Sequence, residues 1–126
     1  MPRTDVIFYR EDQGVPVLDW LKQLRRSDQR AYERCVAAIG RLAEAGYELR
    51  RPLADILTAG VYELRIRKDR VNFRILYFFH GRNIAVLSHA LTKEDKVPKA
   101  DIERAIRRKK VFEADPAAHS YLEEES

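Results

Sequence analysis

VYELRIRKDRVNFRILYFFHGRNIAVLSHALTKEDK, from Val61 to Lys96, is the stretch that decides the fold. Tyr62, Leu64 and Ile66 alternate with Glu63, Arg65 and Arg67, the period of a strand with one face buried. Lys68 to Arg70 is a short polar turn. Val71 to Phe79 is almost wholly apolar, which predicts a central strand covered on both faces; Asn72 and Arg74 are its polar members. His80-Gly81-Arg82-Asn83 makes a second turn, and Ile84 to Leu91 a third strand. Connections this short join antiparallel neighbours, so the stretch reads as a meander. Arg65 and Arg74 fall inside its apolar runs, and Lys93 and Lys96 follow directly on the third. A cation fixed to a rigid sheet can be aimed at a phosphate, as one on a mobile tail cannot. The pattern predicts an anionic ligand.

Upstream, Val6 to Tyr9 reads as a first strand and Glu11 to Val15 as a polar turn. Pro16 suits the first turn of a helix, where its missing N–H costs nothing. Val17, Trp20, Leu21 and Leu24 follow at helical spacing. After a break at Arg25 to Asp28, a second helix places Ala31, Cys35, Ala38, Ile39 and Leu42 on one face, with Asp28 as its cap and Gly46 as its stop. Glu48 to Gly60 reads as a loop. Downstream, Pro98 opens a last helix whose buried stripe is Ile102, Ala105 and Ile106, with Arg104, Arg107, Arg108, Lys109 and Lys110 around it. The expected class is α+β: a curved antiparallel sheet of the N-terminal strand plus the meander, a helical hairpin and a C-terminal helix.

A chain of 126 residues with 45% apolar content suits one domain that folds by burial. We expect that domain to span residues 1–112, followed by a flexible acidic tail, 113–126. The formal charge of +4 hides this asymmetry. The last 14 residues carry five acids and no Lys or Arg, which leaves 24 basic against 15 acidic groups in residues 1–112. A basic body suits a polyanion such as nucleic acid, and equally suits a merely solvated surface. Cys35 is the single cysteine and cannot form an internal bridge. No apolar run reaches spanning length and the start has no signal-like segment, so the expectation is a cytoplasmic protein without membrane contact.

Taken together, Val61-Tyr62-Glu63-Leu64-Arg65, Asn72 to Phe79, Ile84 to Leu91, Lys93, Lys96, Pro98 and the Ile102–Ala105 helix start resemble the RelE/ParE superfamily of bacterial toxins. Within it they are most similar to the HigB-type, phage-related branch. The resemblance covers roughly residues 5 to 112. It implies the toxin of a type II toxin–antitoxin pair, a ribosome-dependent endoribonuclease acting on messenger RNA. It implies a small helix-turn-helix antitoxin (HigA-like) as partner, and operator DNA bound only through that complex. It also leaves two other outcomes open: a ParE-like poison of DNA gyrase, and an RNA-binding module without catalysis.

RNA can be cut without metal, when the ribose 2′-OH attacks the adjacent phosphorus and leaves a 2′,3′-cyclic phosphate and a free 5′-OH. That needs a base, stabilisation of charge on the phosphoryl oxygens, and an acid. Arginine offers a planar fork that matches two phosphate oxygens. Arg65 and Arg74 match the family's arginine positions and are the first candidates for a phosphate clamp; the alternative is that each is a solvent-facing strand residue, or pairs with Glu63 or Asp69. Lys93 and Lys96 match the lysine pattern, and a lysine near other cations can titrate below its ordinary ~10.4. His89 is the candidate proton shuttle or, equally, a structural histidine. The final helix carries Phe112 where better-known relatives have a tyrosine or histidine, so the general base stays unassigned. No glycine-rich phosphate loop and no metal-ligand spacing occur in the sequence, and no cofactor is expected.

Overall fold

Strand β1 (Asp5–Tyr9) leads into a helical hairpin, α1 (Pro16–Ser27) and α2 (Gln29–Ala45). The structure, a computed structural model, describes residues 3–12, 14–58, 60–92 and 95–122. Pro16 takes the first position of α1. Asp28 separates the helices, and its carboxylate accepts from the Ala31 N–H at 3.1 Å, capping α2. Its second oxygen meets Lys68 Nζ at 2.8 Å, so the cap also fixes the hairpin to the sheet. Lys68 and Ala31 together hold this carboxyl below its usual range, the Lys68 hydrogen bond contributing most. Gly46 ends α2 with φ +55, and a Cβ there would collide with Thr4 Oγ1. A single 3-10 turn follows, Gly46–Glu48.

Next come β2 (Ala54–Thr58), β3 (Val61–Lys68), β4 (Val71–His80), β5 (Ile84–Thr92), α3 (Lys99–Ala114) and β6 (Ser120–Tyr121). The described residues form one six-stranded sheet in the order β2-β3-β4-β5-β1-β6. The class is α+β, as the sequence predicts, with the meander β3-β4-β5 at its centre. Three details differ from the expectation. The segment Glu48–Gly60 is not all loop, because β2 pairs antiparallel with β3. The N-terminal strand runs parallel to β5, from Asp5↔Ile84 to Phe8↔Leu87. No short turn joins those two strands, so nothing local fixes their direction.

The third difference concerns the chain end. The sequence predicts fraying after Glu113, yet α3 runs to Ala114 and β6 pairs antiparallel with β1. The Arg10 N–H donates to the His119 carbonyl at 2.9 Å, and the Arg10 guanidinium reaches the Ala117 and Ala118 carbonyls. The His119 ring stacks on Tyr9 at 5.6 Å. Backbone pairing and stacking order the segment without a hydrophobic periodicity to announce it. The acidic residues Glu123 to Glu125 lie outside the described residues.

Alternation sends the sheet's side chains to two cores. Leu64, Ile66, Phe73, Ile75, Tyr77 and Phe79 pack on Val17, Leu21, Cys35, Ala38 and Leu42 of the hairpin. Burial pushes the Cys35 thiol up to about 12, so it behaves as a small apolar group. On the other face, Phe78 and Val86 meet Phe112, while Val61 and Leu76 meet Ala105. Strand β4 is thus covered on both sides, which accounts for its apolar run.

Strand β5 carries one extra residue. Leu76 pairs with His89 but Tyr77 pairs with Leu87, so Ser88 forms a bulge. The bulge frees the Ser88 carbonyl, which accepts from Arg108 Nη1 of α3 at 2.9 Å.

Candidate anion-binding groove

In the β3–β4 register Arg65 lies directly opposite Arg74. Directly paired residues point to the same face, here the one that α3 partly covers. Glu63 shares that face, two residues before Arg65. Like charges opposite one another repel, and the two arginines meet this differently. Arg74 is buried, 6% exposed, and its Nη1 pairs with Glu63 Oε1, itself 5% exposed. Its Nη2 donates to the Asp95 carbonyl. Arg65 is exposed, and no ion pair among the described residues reaches it.

Both arginines line one groove of about 480 Å³ beside the end of β2, together with Arg67, Asn72, Leu53 and Asp95. Arg74 is a positioned cation whose carboxylate partner prevents the cost of an isolated buried charge. Arg65 and Arg67 bring solvated guanidinium groups to the same space. The groove therefore presents two solvated forks, Arg65 and Arg67, beside a third, Arg74, that Glu63 and the Asp95 carbonyl hold in place, a geometry suited to phosphate oxygens.

The remaining sequence candidates are placed differently. Lys96 is exposed and does not line the groove, although its neighbour Asp95 does. Lys93 lies outside the described residues. His89 is 5% exposed and bonded at both ring nitrogens. Its Nε2–H donates to Asp101 Oδ1 at 3.2 Å, and its Nδ1 lies 2.9 Å from the Ser88 hydroxyl. Since a carboxylate only accepts, Nε2 carries the proton and Nδ1 accepts from Ser88. Burial, then the Arg108 charge, lowers the His89 pKa to about 4, leaving the ring neutral at pH 7. Ser88, His89 and Asp101 have the order of a nucleophile relay, but Ser88 has no exposed surface for a substrate to reach.

The sequence offered Glu63 as a partner for either arginine; that it meets Arg74 and not Arg65 depends on register, because the contact is diagonal between strands. Arg67 and Asn72 were legible: Arg67 shares the parity of Arg65, and Asn72 is two residues from Arg74. Arg108 was grouped with the solvated charge of the last helix, yet it faces the sheet. Its position between Ala105 and Phe112, at helical spacings of three and four, carried that signal. Arg108 also approaches Glu11 Oε2 at 3.4 Å and lies over the Tyr9 ring at 5.1 Å.

Among the described residues, no group of three His, Cys, Asp or Glu side chains is arranged to hold a metal ion. No described helix is long and apolar enough to cross a membrane. Residues 19–110 match the family model described as Phage derived protein Gp49-like (DUF891), a span that runs from α1 into α3 and includes the whole groove. No curated protein matches the chain.

Proposed function

The chain belongs to the phage-derived Gp49-like family, a RelE-type, toxin-like family, and on that premise we propose that it is the HigB-like toxin of a type II toxin–antitoxin pair, cleaving messenger RNA on the ribosome in the cytoplasm. One observation carries this reading: Arg65 and Arg74, direct partners across β3 and β4, line a single groove.

In this reading the scissile phosphate sits between the two guanidinium groups. The ribose 2′-oxygen attacks phosphorus as its proton leaves, the bond to the 5′-oxygen breaks, and that oxygen takes up a proton. The products are a 2′,3′-cyclic phosphate and a 5′-OH. Arg65 and Arg74 hold the non-bridging oxygens, where negative charge grows. Lys93 and Lys96, the cations that follow β5, assist at the phosphate or transfer protons, and the general base itself stays unassigned. His89, neutral and bonded at both nitrogens, orients α3 and takes no part. A HigA-like helix-turn-helix antitoxin silences the toxin by covering this basic face, and the pair reaches operator DNA through the antitoxin.

The buried Glu63–Arg74 pair favours a second reading, an RNA-binding module that does not cut. A ParE-like gyrase poison is the third. Primer extension on messages after induction separates them. Codon-phased cuts that vanish in Arg65→Ala support the nuclease. DNA breaks with an SOS response indicate the gyrase poison, and RNA binding with neither cuts nor breaks indicates the module.

A further inference from the structure

The groove does not end at Arg65. A second cleft, about 300 Å³, lies between α2 and β3, and shares Leu53, Arg65, Ile66 and Arg67 with the first. Its far wall is α2, which contributes Arg34, Ala37, Ala38 and Arg41. These four recur at helical spacing, so two arginines flank two alanines on one stripe. Seven residues of helix separate Arg34 from Arg41 by about 10 Å. Arg65 and Arg67, two residues apart on a strand, are about 7 Å apart.

The charge on this surface is unbalanced. Arg34, Arg41, Arg65 and Arg67 are all exposed, and none takes part in an ion pair among the described residues. With Arg74, whose charge Glu63 neutralises, they make five arginines around two joined clefts, and Asp95 is the acid among the described lining residues. Some cations elsewhere are paired, Arg51 with Asp55, Lys68 with Asp28 and Lys109 with Glu113, and others such as Lys22 and Arg26 are not, among the described residues; what marks this surface is that its arginines gather around two joined clefts. Arg34 is also held in place, since its Nη1 donates to the Arg67 carbonyl at 2.8 Å. That carbonyl lies past the end of β2, where β3 has no neighbour on this side.

We propose that this second cleft extends the groove as a track for the sugar–phosphate backbone of one RNA strand, with Arg34 and Arg41 of α2 contacting phosphates beyond those at Arg65 and Arg74. The inference deepens the RNA reading above and rests on it only in the choice of ligand. Guanidinium forks of α2 and of β3, brought to one cleft at the open edge of β3, match repeated phosphates, and the exposed Ala37 leaves room for a backbone to approach the helix. A protein segment would need apolar anchors. Here the apolar lining is small or already spent, with Ala38 and Ile66 buried in the hairpin core.

The test is the salt dependence of binding to a short fluorescent 2′-O-methyl oligoribonucleotide, which cannot be cut by 2′-oxygen attack. Each single-strand phosphate contact contributes about 0.7 to the slope of log affinity against log salt. The double variant Arg34→Ala/Arg41→Ala should lower the slope by about 1.4, and Arg34→Lys/Arg41→Lys should restore most of it. The control Lys22→Ala/Arg26→Ala removes two exposed cations of α1 and should leave the slope near that of the wild type. Circular dichroism and urea unfolding check that each variant is folded. An unchanged slope in the α2 variant would overturn the proposal, as would an equal loss in the control or no salt-dependent binding by the wild type. Binding of an acidic peptide, lost in the α2 variant while RNA binding persists, would assign the cleft to a protein instead. Cleavage is scored separately: a wild type that binds through α2 yet makes no cuts keeps the track and loses the nuclease, and the reverse result loses only the track.

Discussion

Arg65 and Arg74 stand opposite one another on neighbouring strands, and Glu63 neutralises only the buried one. The two arginines therefore separate function from stability, and their alanine variants should behave differently.

Arg65→Ala should fold almost unchanged. Its side chain is exposed and makes no ion pair among the described residues, so urea unfolding should move by no more than about 0.5 kcal/mol. Growth arrest and oligoribonucleotide binding should both fall at least tenfold. Full toxicity in this variant removes Arg65 from the site.

Arg74→Ala should lose activity and stability together. It strands the Glu63 carboxylate in a buried position, a change that costs about 3–5 kcal/mol. The double variant Glu63→Leu/Arg74→Leu should regain most of that stability while remaining inactive. If Arg74→Ala unfolds at the wild-type urea concentration, the pair does not hold the strands as described.

His89 gives the protein an acid-sensitive joint. Its pKa lies at about 4 in the folded state, against an ordinary 6.5, so between those values the unfolded chain binds a proton that the native state refuses. Its contribution to stability is fully present above pH 6.5 and is lost as pH falls toward 4. The total is roughly 3 kcal/mol at most. Comparison of wild type with His89→Gln across this window isolates the effect, and an NMR titration of the ring should give a midpoint well below 6. A midpoint near 6.5 would contradict the buried, doubly bonded ring.

Arg108→Ala should destabilise by about 1–3 kcal/mol, because the Ser88 carbonyl at the β5 bulge loses its donor. Arg108→Lys should recover only part of this, since one ammonium group cannot serve the carbonyl, Glu11 and the Tyr9 face together. Urea unfolding measures both. Wild-type stability in Arg108→Ala would return the residue to the solvated face of α3.

Much of this architecture was legible in the residues themselves. Pro16, Asp28 and Gly46 marked helix ends, because capping acts within a few residues of sequence. The alternation of Tyr62 to Arg67 gave the faces of β3, and the apolar run of β4 gave its double burial. What stayed hidden depends on distant partners. Strand β2 exists because β3 offers it hydrogen bonds; its own Ile56 is 56% exposed, so no burial pattern marks it. Strand β1 chose β5, and β6 chose β1, through contacts that no local period encodes. The same holds for the site. The sequence singled out both arginines as candidates and Glu63 as a partner for either, but which arginine Glu63 meets required the register, and the fate of His89 required the bulge and Asp101.

The uncovered flank of β3 has one more consequence. Past the Arg65 N–H, which donates to the Leu53 carbonyl at 2.7 Å, its edge is open to an extended peptide, including a second copy of the same strand, the usual route to aggregation. Arg65, Arg67 and Lys68 stand along that flank, and Arg34 already occupies one of its carbonyls. The positive charge that suits the surface to a polyanion thus also repels like copies of itself, so a variant stripped of these cations would trade a lost ligand for a tendency to self-associate.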